Sequence, residues 1–126
     1  MTDKALAGYA DFNSQDFDSL LARMTEDFSW HEAPEIPGPK ASNTRAEFAR
    51  YVRGFDQLWE EFHFEVSETA EGPEALYARV VLRGRGKASA HELELEIHHV
   101  WRLRDGLFAS MTAYLDRDEA RAAAGL

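Results

Sequence analysis

The sequence predicts an α+β domain in which helices pack on one face of a curved, mainly antiparallel sheet. Three observations carry that prediction. Residues 94–116 read as two long strands joined by a tight turn at Arg104-Asp105-Gly106. The first of these strands alternates strictly: Leu93, Leu95, Ile97, His99, Trp101 and Leu103 share one face, and Glu92, Glu94, Glu96, His98, Val100 and Arg102 share the other. A period of two over that length marks a half-buried strand. Residues 45–59 show the helical period instead, with Phe48, Tyr51, Val52, Phe55, Leu58 and Trp59 along one stripe. The chain as a whole runs helix, helix, strand, helix and then four strands, an order that segregates helices from the meander that follows them.

Taken in order, residues 4–13 form the first helix, with Leu6, Tyr9, Ala10 and Asn13 on one side. Residues 16–26 form the second, capped by Ser14 and striped by Phe17, Leu20, Leu21 and Met24. Phe28 to Ala33 alternates as a strand that turns Phe28, Trp30 and Glu32 to one face and Ser29 and His31 to the other. The prolines of Pro34-Glu-Ile-Pro-Gly-Pro39 exclude regular structure, so this segment is a loop, placed to border a pocket mouth. Ser42 to Thr44 offers caps for the third helix. Gly54 within that helix costs about 1 kcal/mol relative to Ala, so packing is expected to require it. Phe62, Phe64 and Val66 mark another strand. Ala75 to Arg85 and the strand after it form a hairpin through Gly84-Arg85-Gly86-Lys87. That hairpin sets Arg79, Arg83 and Arg85 opposite Glu92, Glu94 and Glu96, a solvated outer face. The tail from Asp118 is a short helix or a frayed end.

With 126 residues, 44% of them apolar and 29% charged, the chain is long enough for one domain with a sizeable core, spanning 1–126. Fourteen basic against 23 acidic residues give a formal charge of −9, which supplies no attraction for nucleic acid or an anionic membrane. There is no cysteine, hence no disulfide or thiolate chemistry, which fits a cytoplasmic location. We expect no signal peptide from Met1 to Phe12 and no membrane span. Eight Phe, three Trp and four Tyr are enough aromatic side chains to line a large apolar cavity.

Asn13-Ser-Gln-Asp16, Val100-Trp-Arg-Leu-Arg-Asp-Gly106, Tyr114-Leu-Asp-Arg-Asp-Glu-Ala120 and Ala124-Gly-Leu126 together resemble the NTF2-like superfamily. That superfamily includes ketosteroid isomerase and the SnoaL-like polyketide cyclases, and the match is to the SnoaL-like proteins over nearly the whole chain. The resemblance implies an NTF2-like (cystatin-like) cone, with three N-terminal helices on a curved sheet, and a homodimer formed through the outer sheet face. Counted from Asp16, Glu32 falls where ketosteroid isomerase keeps its general-base aspartate. Counted back from Val100, His99 falls where that enzyme keeps the protonated aspartic acid of its oxyanion hole. Tyr9 lies on the helix that supplies the oxyanion tyrosine, and Asp116 resembles the terminal-strand acid of SnoaL-like cyclases and limonene epoxide hydrolases. A histidine in place of the oxyanion acid departs from the steroid isomerases. The Arg-x-Asp pair of the epoxide hydrolases is missing from the sequence.

Parity alone puts Glu32 and His99 among apolar neighbours. If they face each other, they form a proton-transfer pair suited to isomerisation, aldol-type cyclisation or dehydration of a small apolar carbonyl compound. The candidate catalytic residues are therefore Glu32, His99, Tyr9 and Asp116. Phe28, Trp30, Tyr51, Phe55, Trp101 and Met111 are the candidates for ligand contact or simply for the core. No metal or organic cofactor is expected: His98 and His99 are adjacent on a strand and point to opposite faces. A cap for the final helix is the other reading of Asp116. The alternatives for the whole protein are a non-catalytic binder of an apolar small molecule and a dimeric interaction domain.

Overall fold

A computed structural model describes residues 1–88 and 91–126, with all of their side chains except those of Asp56 and Leu58. Its elements are α1 (Thr2–Asn13), α2 (Phe17–Ala22), β1 (Met24–His31), β2 (Ala41–Ser42), α3 (Arg45–Arg53), α4 (Phe55–Leu58), β3 (Trp59–Glu71), β4 (Ala75–Gly86), β5 (Glu92–Arg104), β6 (Leu107–Tyr114) and α5 (Arg117–Ala123). The six strands form one sheet in the order β2-β1-β6-β5-β4-β3. Every neighbouring pair is antiparallel except β1 and β6. This is an α+β architecture. Among the described residues no helix is long and apolar enough to cross a membrane.

The meander is built as the alternation predicts. β5 pairs with β4 from Ala75↔Arg102 to Arg85↔Glu92, and with β6 from His98↔Tyr114 to Arg104↔Leu107. Asp105 and Gly106 make the turn between β5 and β6, both at positive φ (53° and 80°), as a two-residue type I′ turn requires. A register shift after Arg102 inserts an extra residue into β6. That bulge lets Phe108 and Met111, of opposite parity, both reach the core.

The element ends differ from the sequence expectations for identifiable reasons. The inward stripe of α1 is Ala5, Gly8, Tyr9 and Phe12, while Leu6 is exposed. Gly8 faces α2, where a Cβ would meet Leu20 Cδ1 at 3.7 Å, an ordinary packing distance. Asn13 turns instead to the edge strand β3, where its side-chain amide donates to Phe64 O and accepts from Phe64 N–H, both at 2.8 Å. The cap of α2 is Asp16, not Ser14, and the helix stops at Ala22. Met24 fits the helical stripe but is the first residue of β1, where it is fully buried beside its partner Phe108. The helix expected over residues 45–59 breaks at Gly54, and Trp59 already belongs to β3. Leu58, assigned to that stripe, lies outside the described side chains. The third helix is capped by Thr44, which accepts from Glu47 N–H at 3.1 Å.

The β4–β5 reversal also comes later than the glycines suggest. Gly84 and Arg85 are still paired with Leu93 and Glu92. Gly84 marks a close approach, not a turn: a Cβ there would lie 3.2 Å from the Trp59 ring and 3.0 Å from Glu61 O. The outer-face charges meet as expected, Arg83 with Glu94 at 2.9 Å and Glu65 at 3.2 Å, and Arg79 with Glu96.

The core divides between the two faces of the sheet. The main cluster fills the concave face under α1 to α4, and a second, small cluster of Ala75, Tyr77, Val100, Ala120 and Ala124 lies on the outer face under α5. His98 and Val100, on the same face of β5 as the Glu row, are therefore buried.

Candidate functional site

The concave face and the helices leave a cavity of about 510 Å³, within the range of small-molecule sites. β5 contributes the inward residues Leu95, Ile97, His99 and Trp101 to it, β1 contributes Trp30, and the chain leaving β1 contributes Glu32. Tyr9 enters from α1, and Tyr51 and Phe55 from α3 and α4. Ile36, Pro37, Gly38 and Pro39 of the proline loop complete one side.

The polar atoms of the cavity are few and organised. Trp101 Nε1–H donates to the Tyr9 hydroxyl at 2.8 Å, and that hydroxyl lies 2.6 Å from His99 Nδ1. The Tyr9 and His99 rings are nearly parallel, 8° apart. Burial, assisted by the charge of His98, lowers the His99 pKa to about 3, so the ring is neutral at physiological pH. Burial pushes the Tyr9 and Tyr51 hydroxyls upward, so both keep their protons; the charge of Glu32 adds to the shift at Tyr51. His99 Nε2 has no hydrogen-bond partner among the described residues, and it belongs to a ring that lines the cavity.

Glu32 is partly buried, and desolvation raises its pKa. Opposing that shift, its Oε1 accepts from Ala33 N–H at 3.1 Å, and Lys40 attracts the charged form. Glu32 and His99 line one cavity but do not form the facing pair that parity allowed: the imidazole is hydrogen-bonded to Tyr9, and the carboxylate to its own chain.

Two of the ten candidate side chains are elsewhere. Asp116 is the N-cap of α5, accepting from Glu119 N–H at 2.9 Å, and is not part of the cavity wall. The strand ends before it, so its carboxylate serves the helix. Phe28 is fully buried against Phe48 and Trp101 and does not reach the cavity. Trp30, Tyr51, Phe55, Trp101 and Met111 line it with Tyr9, Glu32 and His99. Phe64, Phe48 and Trp59 also line it, although in the sequence they are legible only as stripe or strand residues and not as ligand contacts. Strand parity on Phe62, Phe64 and Val66 was the available signal for Phe64. His98 points to the outer face, where Tyr77 OH is 2.8 Å from Nδ1 and Glu96 Oε2 is 3.0 Å from Nε2. Among the described residues there is no group of three or more His, Asp or Glu placed to hold a metal ion.

The SnoaL-like domain family matches residues 5–111. The chain belongs to that family. Solved structures agree on the fold of this SnoaL-like domain. An NTF2-like protein of unknown function from Burkholderia pseudomallei is 18% identical, with a TM-score of 0.79 over 99% of this chain and 97% of the other. A putative polyketide cyclase from Xanthomonas campestris is 21% identical, with a TM-score of 0.75 over 96% and 93%. SalBIII, an epoxide hydrolase/cyclase-like enzyme in pyran ring formation in the polyether salinomycin, is 14% identical, with a TM-score of 0.77 over 93% and 91%. No curated protein matches the sequence.

Proposed function

We propose that this SnoaL-like domain is an acid–base enzyme of the isomerase, cyclase or dehydratase type that acts on a small apolar carbonyl compound, without metal or organic cofactor. One observation supports it above the others: a mostly apolar cavity holds one carboxylate with a raised pKa and one neutral imidazole with an uncommitted ring nitrogen. The putative polyketide cyclase and the cyclase-like enzyme among the structural neighbours point to the same reaction class.

In this reading Glu32 is the base. Its partial burial strengthens it as a proton acceptor, while Lys40 and Ala33 N–H favour the ionised form. Glu32 takes a proton from the carbon beside the carbonyl. The electron pair left behind becomes a carbon–carbon double bond, and negative charge develops on the carbonyl oxygen. His99 Nε2–H donates a hydrogen bond to that oxygen as the charge builds. Return of the proton from Glu32 to another carbon gives isomerisation. Attack of the enolate carbon on a second carbonyl gives ring closure, with the proton held by Glu32 passing to the new alkoxide; departure of a β-hydroxyl as water, carrying the proton returned by Glu32, gives dehydration. Trp30, stacked on Tyr51 with ring centroids 4.2 Å apart, forms an aromatic wall for a planar substrate.

Glu32→Gln keeps the shape and removes the base. It is expected to lower turnover at least about 100-fold, the low end of what a general base contributes, and to leave ligand affinity within a few-fold. Unchanged turnover in this variant would refute the assignment. A wild-type protein that binds apolar carbonyl compounds but never turns them over would favour the non-catalytic binder. We also propose that the chain forms a homodimer through the Arg- and Glu-bearing outer face of the sheet.

A further inference from the structure

Trp101 follows His99 by two residues on β5 and shares its face. Its indole N–H can only donate, and it is spent on the Tyr9 oxygen. A single proton lies between that oxygen and His99 Nδ1. It belongs either to the hydroxyl, which donates to a bare Nδ1, or to Nδ1, which donates to the oxygen. In the second arrangement the hydroxyl proton of a tyrosine only 6% exposed has nothing to bond to, and a buried donor left unpaired is disfavoured. The indole reinforces the first arrangement. It occupies the acceptor side of the Tyr9 oxygen, and by polarising the hydroxyl it strengthens the next bond of the chain.

We propose that Trp101 is a positioning residue: acting through Tyr9, it holds His99 in the tautomer with bare Nδ1 and protonated Nε2, so that this end of the cavity offers a ligand one hydrogen-bond donor and no acceptor. The Tyr9 hydroxyl, engaged on both sides, is then not a ligand donor itself. The compounds selected carry a neutral acceptor oxygen, such as a ketone or an ester, at the His99 end of an apolar body. Anionic carboxylates are disfavoured, because Glu32 shares the cavity and its apolar walls do not solvate a charge. The substrate class rests on the reading of the cavity as a ligand site; the tautomer does not.

The test uses NMR of the His99 ring nitrogens in nitrogen-labelled protein, together with binding of acetylnaphthalene and ethylnaphthalene, which differ by the ketone oxygen. Wild-type protein is expected to show a bare Nδ1 and a protonated Nε2, and to prefer the ketone by about two- to tenfold, the worth of one hydrogen bond. In Trp101→Phe the Tyr9 hydroxyl can turn its proton into the space the indole N–H vacates, where water can accept it, so the ring nitrogens shift toward an average of both tautomers and the ketone preference falls toward parity. Tyr9→Phe produces the larger shift. Where Trp101→Phe does not fold, benzothienylalanine at position 101 keeps the indole shape without the N–H and carries the same comparison. A protonated Nδ1 in the wild type, or a His99 spectrum unmoved by loss of the indole N–H, overturns the proposal. Equal weakening of both probes shows a structural role alone and also overturns it. If neither probe binds, the ligand-site reading fails, and the nitrogen spectrum still decides the role of Trp101.

Discussion

At His99 the protein holds a base that burial keeps neutral, and that has a consequence for stability. In the unfolded chain the imidazole titrates near its ordinary value of 6.5; in the fold its pKa is about 3. Between these values the unfolded state binds the extra proton, so the fold loses stability as pH falls. The contribution is fully present above pH 6.5 and is lost progressively toward pH 3, with a limiting slope of about 1.4 kcal/mol per pH unit. Glu32 acts in the opposite sense. Its pKa is raised, so its contribution is present below the ordinary carboxylate value and is lost as pH rises through the folded value. Denaturant unfolding of wild type and His99→Gln between pH 7 and 4 separates the two effects. The wild type is expected to weaken with acid by about one kcal/mol per unit more than the variant; parallel curves would contradict a buried neutral His99.

Among the elements, β5 carries the arrangement because it presents different chemistry on its two faces. The adjacent residues His98 and His99 are both buried, and each ring lies nearly parallel to a tyrosine ring, at 12° to Tyr77 outside and 8° to Tyr9 inside. The outer pair is covered by α5. That helix is held by Arg102 donating to Ala123 O at 2.7 Å, by Arg117 on Glu68 at 2.8 Å, and by Arg121 over the Tyr77 ring at 5.4 Å. Its end also rests on the β3–β4 turn. A Cβ on Gly72 would stand 1.9 Å from Ala124 O, so only glycine fits beneath it. Gly72→Ala is expected to destabilise the fold by about 1–3 kcal/mol, as overpacking does, and to speed tryptic cleavage at Arg117 and Arg121. Cleavage at the wild-type rate would show that α5 does not need this contact.

For the whole molecule, the two faces of the sheet divide the labour. The concave side gathers the aromatic residues and the cavity. The convex side is covered in part by α5 and elsewhere carries Arg79, Arg83 and Arg85 interleaved with Glu65, Glu92, Glu94 and Glu96. A proposed homodimer through that side is joined by charge. Sedimentation at low ionic strength should show the dimer, and at about 1 M salt, where screening acts over about 3 Å, it should dissociate. A dimer that persists unchanged in high salt excludes an ionic interface.

What was legible in the sequence is what local sterics and periodicity encode. The alternation of β5, the Asp105-Gly106 turn, the facing Arg and Glu rows and the helical stripe through Phe48 and Val52 each depend on a few consecutive residues, and each appears in the fold. Parity also put Glu32 and His99 on the cavity side. Tertiary structure alone decided the rest. It made Met24 a strand residue, because burial looks the same at the end of a helix and the start of a strand. It set β1 parallel to β6, buried Phe28 away from the cavity, and used Asp116 as a helix cap. It also brought Tyr9 to His99 across 90 residues of chain, with Trp101 behind it. Hydrogen-bond partners at that separation are chosen by how helices dock on the sheet, and no local pattern records the choice.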